Sequence, residues 1–307
     1  MSKDIRIKKG LDIKLLGAAV LTKTAAIKSN YYSLRPEDFH GLQPKLAVKV
    51  GDTLKAGDPV FFDKSNEAIK FVAPVSGEVL EITRGAKRRI LEIKIKADKK
   101  ITFKIHKKLE PKTAKADAIK FLLLASGCWP FIKQRPYDVI ADPGRQPKSI
   151  FISGHATAPL AVDYNFTLQN KHNELQAAVT VLSKLTKGAV HVGISKDSDS
   201  PFKDLENIIT YEVSGPHPSG NVGTLINKID PINKGELVWT IAPQDLIIIG
   251  ELLLTGKFNS ERVVAFVGSQ VEQPRYLSTR IGSEVATMIY DRGINKDAHV
   301  RIISGNV

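Results

Sequence analysis

Residues 46–82, LAVKVGDTLKAGDPVFFDKSNEAIKFVAPVSGEVLEI, are cut into pieces too short for helices. Gly51-Asp52, Gly57-Asp58-Pro59 and Ala73-Pro74-Val75-Ser76-Gly77 each carry turn chemistry. Val60-Phe61-Phe62 between them is aromatic and branched, and Glu78–Ile82 alternates polar with apolar. Both are strand signatures. Short strands with this punctuation fold as a small β-sandwich or barrel. The tip between the first two strands, Asp63-Lys64-Ser65-Asn66, is polar and reads as a longer, irregular loop.

The stretch resembles the biotinyl/lipoyl-type half-barrel. A swinging-arm carrier of that type bears its modified lysine at an exposed hairpin tip, and Lys64 is the residue placed for it. The other reading of Lys64 is a solvated loop lysine.

Upstream, Ile5-Arg6-Ile7 is extended and Leu11–Leu16 reads as a short strand. Residues 21–45 read as loop, since Pro36 keeps Arg35 out of the helical region. Tyr31-Tyr32 and Arg35 in that loop either line a site or pack the barrel flank. Downstream, Gly85 bends a hairpin carrying Arg84, Lys87, Arg88 and Arg89. Ile90–Ile95 alternates strictly, with Leu91, Ile93 and Ile95 on one face, as a half-buried strand does. Lys99–Ile105 is a further strand, and the Lys-rich residues 106–116 a linker.

From residue 117 the pattern changes. Asp117 is placed to cap a helix that Ser126-Gly127 stops. Cys128–Tyr137 is an aromatic, proline-rich loop with Trp129, Phe131, Arg135 and Tyr137, suited to binding or to plugging a domain interface. Ser149–Ser153, Ala189–Ile194, Ile208–Val213 and Leu237–Ile241 read as strands. Helices fall at Glu174–Leu185, ended by Gly188, and from Pro243 to Leu254, ended by Gly256. Strands alternating with helices predict a Rossmann-like parallel α/β sheet. The best Gly-rich loop, Ser214–Gly223, has phosphate-loop spacing from Gly215 to Gly220. Asn221 stands where that loop needs its lysine, and the prolines remove donors, so a phosphate cradle is disfavoured. Gly215, His217 and Gly220 remain ligand-loop candidates at a strand's carboxyl end. From residue 259, strand, strand, helix and a closing strand at Val300–Ile303 suit a β-grasp, SLBB-like module. The expected division is 1–110, 111–258 and 259–307.

Charge is unevenly placed. Residues 1–110 carry 24 Lys and Arg against 13 Asp and Glu, a net +11 of the chain's +13. An anionic membrane surface or an acidic protein face suits that excess. Nucleic acid does not, because no aromatics interleave with the basic residues. One cysteine, Cys128, excludes a disulfide framework and any thiolate-ligated cluster held by this chain alone. No two of the seven histidines fall at metal-ligand spacing with an acidic or Cys partner. No metal site, G-x-S-x-G or catalytic dyad is visible. The first residues hold no apolar signal core, and no apolar run is long enough to span a bilayer.

The order half-barrel, Rossmann-like sheet, β-grasp resembles two families, that of the flavin subunit of complex I and that of the Rnf complexes' C subunit. Finer strings sharpen this. Ile7-Lys8-Lys9-Gly10-Leu11-Asp12, Phe71-x-Ala73-Pro74-x-Ser76-Gly77, Arg84-Gly85-Ala86-Lys87-Arg88, Ser126-Gly127-x-Trp129, Ser214-Gly215-Pro216-His217-Pro218-x-Gly220 and Arg301-x-Ile303-Ser304-Gly305 are similar to the A-subunit family of the Na⁺-translocating NADH:quinone reductases. That family continues past such an Ile-Ser-Gly, so the resemblance implies a C-terminally truncated chain. It also implies a peripheral subunit on the cytoplasmic side of the cell membrane, docked on membrane partners, chiefly the B subunit. No tightly bound redox centre is expected here; FAD or FMN, a 2Fe-2S cluster and NADH belong to other subunits. Quinone is the substrate of the complex. The segments implied to lie near it are Tyr31, Tyr32 and Arg35, and Trp129, Phe131, Arg135 and Tyr137. The remaining readings are an Rnf-type subunit, which needs cysteine clusters this chain lacks, and a lipoyl-type carrier.

Overall fold

The computed structural model describes residues 3–290, 293–294 and 299–305. Two strands come first, β1 (Lys3–Arg6) and β2 (Val20–Ala25), and neither pairs with the run of strands that comes next. The next seven are β3 (Tyr31–Leu34), β4 (Pro44–Leu46), β5 (Thr53–Leu54), β6 (Pro59–Asp63), β7 (Asn66–Val72), β8 (Gly77–Arg84) and β9 (Ile90–Ala97). They form two sheets, β3-β9-β8-β5 and β4-β6-β7, all antiparallel. Val60, Phe61, Phe71, Val79, Ile93 and Ile95 fill the half-barrel, with Phe61 stacked on Phe71 at 4.5 Å. Gly77 is required by a close approach: a Cβ there would meet the Lys96 carbonyl at 2.0 Å.

Several sequence expectations are corrected here. Residues 21–45 are not loop throughout, since most of β2, all of β3 and part of β4 lie within them. Leu11–Leu16 forms no strand. Its side chains are exposed, so alternation there has no core to face. Lys99–Ile105 makes only isolated bridges, Ala56 to Phe103 and Ile105 to Lys257. Ile90, expected opposite Ile93, is buried with it, because an irregularity opposite Thr83 and Arg84 resets the face. The tip at Lys64 is shorter than expected: Asp63 pairs Asn66, leaving a two-residue turn.

The second module holds α1 (Ala116–Ala125), a 3₁₀ turn (Trp129–Phe131), β10 (Lys133–Arg135), β11 (Val139–Ile140) and β12 (Ile150–Ser153). It continues with α2 (Tyr164–Thr167), α3 (His172–Ser183), β13 (Val190–Ser195), β14 (Ile209–Ser214), α4 (Val222–Ile229), β15 (Val238–Thr240) and α5 (Pro243–Thr255). Its sheet runs β1-β14-β13-β12-β15-β10-β11. The pairs from β1 to β15 are parallel, and β10 and β11 add antiparallel. Asp117 lies in the first turn of α1 rather than at its cap, which is Lys115. α3 ends at Ser183, well before Gly188, while α5 ends as expected on Gly256 in the left-handed conformation. The apolar stripe Leu175, Ala178, Val179 and Leu182 is buried. α3 and α5 touch backbone to backbone at Gly250, where a Cβ would meet the Glu174 carbonyl at 2.0 Å.

The third module has β16 (Glu261–Phe266), β17 (Arg275–Arg280) and α6 (Val285–Tyr290). Its third strand comes from the other end of the chain: the sheet runs β16-β17-β2, with β2 parallel to β17. The closing strand expected at Val300–Ile303 is not formed, and those residues are exposed. Both edges of β17 are already taken. Gln244 and Asp245, in the first turn of α5, hold β16 in place. Gln244 exchanges two hydrogen bonds with the Val263 backbone, and Asp245 pairs with Arg262. Among the described residues no helix is long and apolar enough to cross a membrane.

Candidate functional site

Pairing of β3 with β9 sets the two tyrosines on opposite faces. Tyr31 is half-buried, with the Lys94 ammonium 4.7 Å from its ring centroid. Tyr32 points inward and is buried, and its backbone bridges Ser283 of the third module. Burial pushes its phenol pKa up, against the opposing pull of Arg280 and Ser283. Arg35 is exposed and precedes the 3₁₀ turn Pro36–Asp38. The chain then turns Phe39 edge-on to Phe71 at 4.5 Å.

The Cys128–Tyr137 segment is not the open loop its prolines suggest. Trp129 is fully buried, donates from Nε1 to the Ala141 carbonyl at 2.7 Å, and meets Trp239 edge-on. Phe131 is half-buried and stacks on Phe258 at 6.2 Å. Arg135 lies in β10, with Nε 3.3 Å from Asp138 Oδ1. Tyr137 is 78% exposed. Lys133, between these, reaches back to the first segment. Its ammonium lies 5.0 Å from the Phe39 ring centroid, and burial lowers its pKa against the pull of Asp138 and Asp245. Gly41 approaches Val139 in the same place.

So the two segments meet, but through Phe39 and Lys133 rather than through the residues singled out from sequence. Tyr32 and Trp129 sit in the core, and Phe131 in a packed stack. Arg35 and Tyr137 are at the surface, and Tyr31 and Arg135 are half-buried. Beside the meeting point lies a cavity of about 190 Å³, walled by Pro36, Phe39, His40, Leu42, Arg89 and Ile90. Arg89 Nε pairs with Glu37 at 3.2 Å beside it. The signal for Phe39 was its place just after Pro36; an isolated phenylalanine in a presumed loop carries no direction.

The glycine loop after β14 is filled by the protein itself. A Cβ on Gly215 would meet the Ile7 carbonyl at 2.1 Å, and one on Gly220 would meet the Thr157 N at 2.7 Å. The His217 N–H donates to Asp12 Oδ1 at 2.8 Å, and its carbonyl accepts from the Leu11 N–H at 3.0 Å. Its Nδ1 lies 3.1 Å from Thr157 Oγ1, which also accepts from the Gly220 N–H. Residues 7–12 and Thr157 thus lie where a phosphate would have to approach.

Three family models match in order. The NqrA N-terminal barrel-sandwich hybrid domain covers residues 5–98, the NqrA second alpha/beta domain 114–258, and the NQRA C-terminal domain 263–307. Among curated relatives, the A subunit of the Na(+)-translocating NADH-quinone reductase from Yersinia pestis bv. Antiqua (strain Angola) is 36% identical over 307 residues, covering 99% of this chain and 68% of the relative. Its namesake from Histophilus somni (strain 129Pt) is 35% identical over 309 residues, covering 98% and 69%. This chain belongs to the NqrA family. It spans about two thirds of the length of the relatives it matches. A solved chain of an NAD+-reducing NiFe hydrogenase aligns over 64% of this chain and 45% of that one, with TM-score 0.38 and 12% identity. That likeness is too distant to assign anything.

Among the described residues no group of three His, Cys, Asp or Glu is placed to hold a metal. Cys128 is buried, and burial pushes its thiol up to about 12, so it is no thiolate nucleophile. Lys64 is exposed at its two-residue turn, where its backbone N–H donates to the Gln43 carbonyl at 2.7 Å.

Proposed function

We propose that this chain shapes a quinone site in a Na⁺-translocating NADH:quinone reductase and docks on that complex's membrane subunits, chiefly the B subunit, from the cytoplasmic side. The division 1–110, 111–258 and 259–307 belongs to the same reading. The observation that carries the quinone part is the meeting of the two segments at Phe39 and Lys133, beside a cavity of about 190 Å³. Phe39, Leu42 and Pro36 offer apolar walls to a ring. Arg89 lines the cavity, and Arg35 directly precedes Pro36, which walls it; both are suited to donate to a quinone oxygen or to oppose charge that develops there. Tyr31, Arg135 and Tyr137 are assigned to the approach, while Tyr32, Trp129 and Phe131 act through the packing of the two segments rather than by touching the ring.

Titration of the purified chain with a short-tail ubiquinone analogue tests this. Arg35→Ala and Phe39→Ala each weaken binding by about tenfold or more, the worth of one charge-assisted hydrogen bond or one buried ring face. Binding unchanged in both variants sinks the quinone reading.

The redox cofactors, FAD or FMN and a 2Fe-2S cluster, and the NADH site are assigned to other subunits. The supporting observation is the filling of the glycine loop by residues 7–12 and Thr157. Equilibrium dialysis against FMN and NADH leaves the chain unloaded; retention of either overturns this part. A lipoyl-type carrier is the second reading, favoured by the exposed two-residue turn at Lys64. A mass increment on Lys64 in protein purified from its native host decides for it.

A further inference from the structure

The segment between β1 and β2 is an arch fixed at both feet. At one foot the Leu11 N–H donates to the His217 carbonyl, and Gly10 packs so closely there that a Cβ would lie 2.0 Å from the same oxygen. At the other the Gly268 N–H donates to the Gly17 carbonyl at 3.0 Å, with the two glycines in backbone contact. Between the feet Leu11 is 70% and Leu16 80% exposed, and Ile13 and Leu15 are exposed with them. Val20 and Leu21 continue the strip along β2, whose six residues are all exposed. An apolar strip held out of a core this way marks a contact surface.

We propose that the Leu11–Leu16 arch and the adjoining face of β2 seat this chain on an anionic lipid bilayer. The composition of the strip selects the partner. Residues 8–25 interleave the apolar side chains with exposed Lys8, Lys9, Lys14 and Lys23, and hold a single carboxylate, Asp12, which accepts the His217 N–H. Protein–protein interface cores are depleted in lysine. A second copy would set these lysines against one another. At a bilayer the leucines enter the acyl boundary, while each lysine lays its stem on apolar surface and its ammonium among phosphates. The proposal names the surface that would touch lipid, and it rests on the reading of the chain as a membrane-peripheral subunit.

Co-sedimentation with phosphatidylcholine vesicles, with and without phosphatidylglycerol, tests it. The chain is expected to sediment with the anionic vesicles only. Leu15→Glu/Leu16→Glu lowers that partitioning more than tenfold. Lys8→Gln/Lys9→Gln/Lys14→Gln lowers it on the order of a hundredfold, about fivefold for each lysine at such a surface. Both variants change exposed positions, and unchanged thermal melts verify their folding. Three results overturn the proposal: wild-type chain left in the supernatant of anionic vesicles, either variant sedimenting like wild type, or a dimer in sedimentation velocity that Leu15→Glu/Leu16→Glu dissolves. Co-purification with the membrane subunits in detergent separates this from the docking reading. Arch variants that keep co-purification but lose vesicles support the lipid seat. Variants that lose both make the arch a protein contact and overturn it. Wild-type chain that binds vesicles but fails to co-purify removes the docking reading alone.

Discussion

Trp129 shows what a single residue can hide. In sequence it stands among prolines and cations and looks like a ligand-loop aromatic. In the fold it is fully enclosed, bonded to Ala141 and set against Trp239. Trp129→Ala therefore lowers unfolding free energy by about 3–5 kcal/mol, the cost of an emptied aromatic site, as read by chemical denaturation. Loss of quinone binding in that variant would report on packing, not on contact. Titration is a second property of single residues. Burial lowers the pKa of both His155 and His191 below 6.5. The folded chain then binds fewer protons than the unfolded one just below that value. Their contribution to stability is present above about pH 6.5 and is lost as pH falls through the folded values. Melting temperature accordingly drops from about pH 7 to pH 5, and less so in His155→Asn, which cannot titrate.

At the scale of elements, most of the strands and helices were legible, because their apolar periods are clean. α5 announces both its ends, with Pro243 inside the start and Gly256 past the stop. α4 had no counterpart among the expected elements, although Val222, Leu225, Ile226 and Ile229 carry its stripe. The Gly-Pro loop before it masked the start. β2 was illegible for a different reason. A fully exposed strand has no buried face, hence no alternation to read. The candidate site was legible only as two segments. Phe39 and Lys133 meet through tertiary packing that no local pattern records. Gly250 carries a prediction of this scale. In an isolated helix Gly→Ala gains about 1 kcal/mol. Here the added methyl overlaps the Glu174 carbonyl, and overpacking costs about 1–3 kcal/mol. Gly250→Ala is expected to lower the denaturation midpoint rather than raise it.

Across the whole molecule, the modules are fastened by buried polar groups as well as by apolar core. Arg262 of the third module pairs with Asp245 of the second, a carboxyl that burial pushes upward in pKa against the opposing pull of Arg262 and Lys133. Arg262→Ala strands that carboxylate and destabilises by about 3–5 kcal/mol near neutral pH. A raised acid contributes stability that is present in acid and lost as pH rises, so the defect shrinks on acidification. Arg262→Met/Asp245→Leu, which removes both charges, is expected to be less damaged than Arg262→Ala in the same denaturation series. The first strands are also joined to late ones, since β1 edges a sheet beside β14, and β2 pairs with β17. β1 leaves the ribosome some 200 residues before its partner β14, roughly 10–40 s at ordinary elongation speed. Through that interval the nascent β1–β2 segment lacks its native strand partners, and its lysines and leucines are open to whatever chaperone or lipid lies at the tunnel exit.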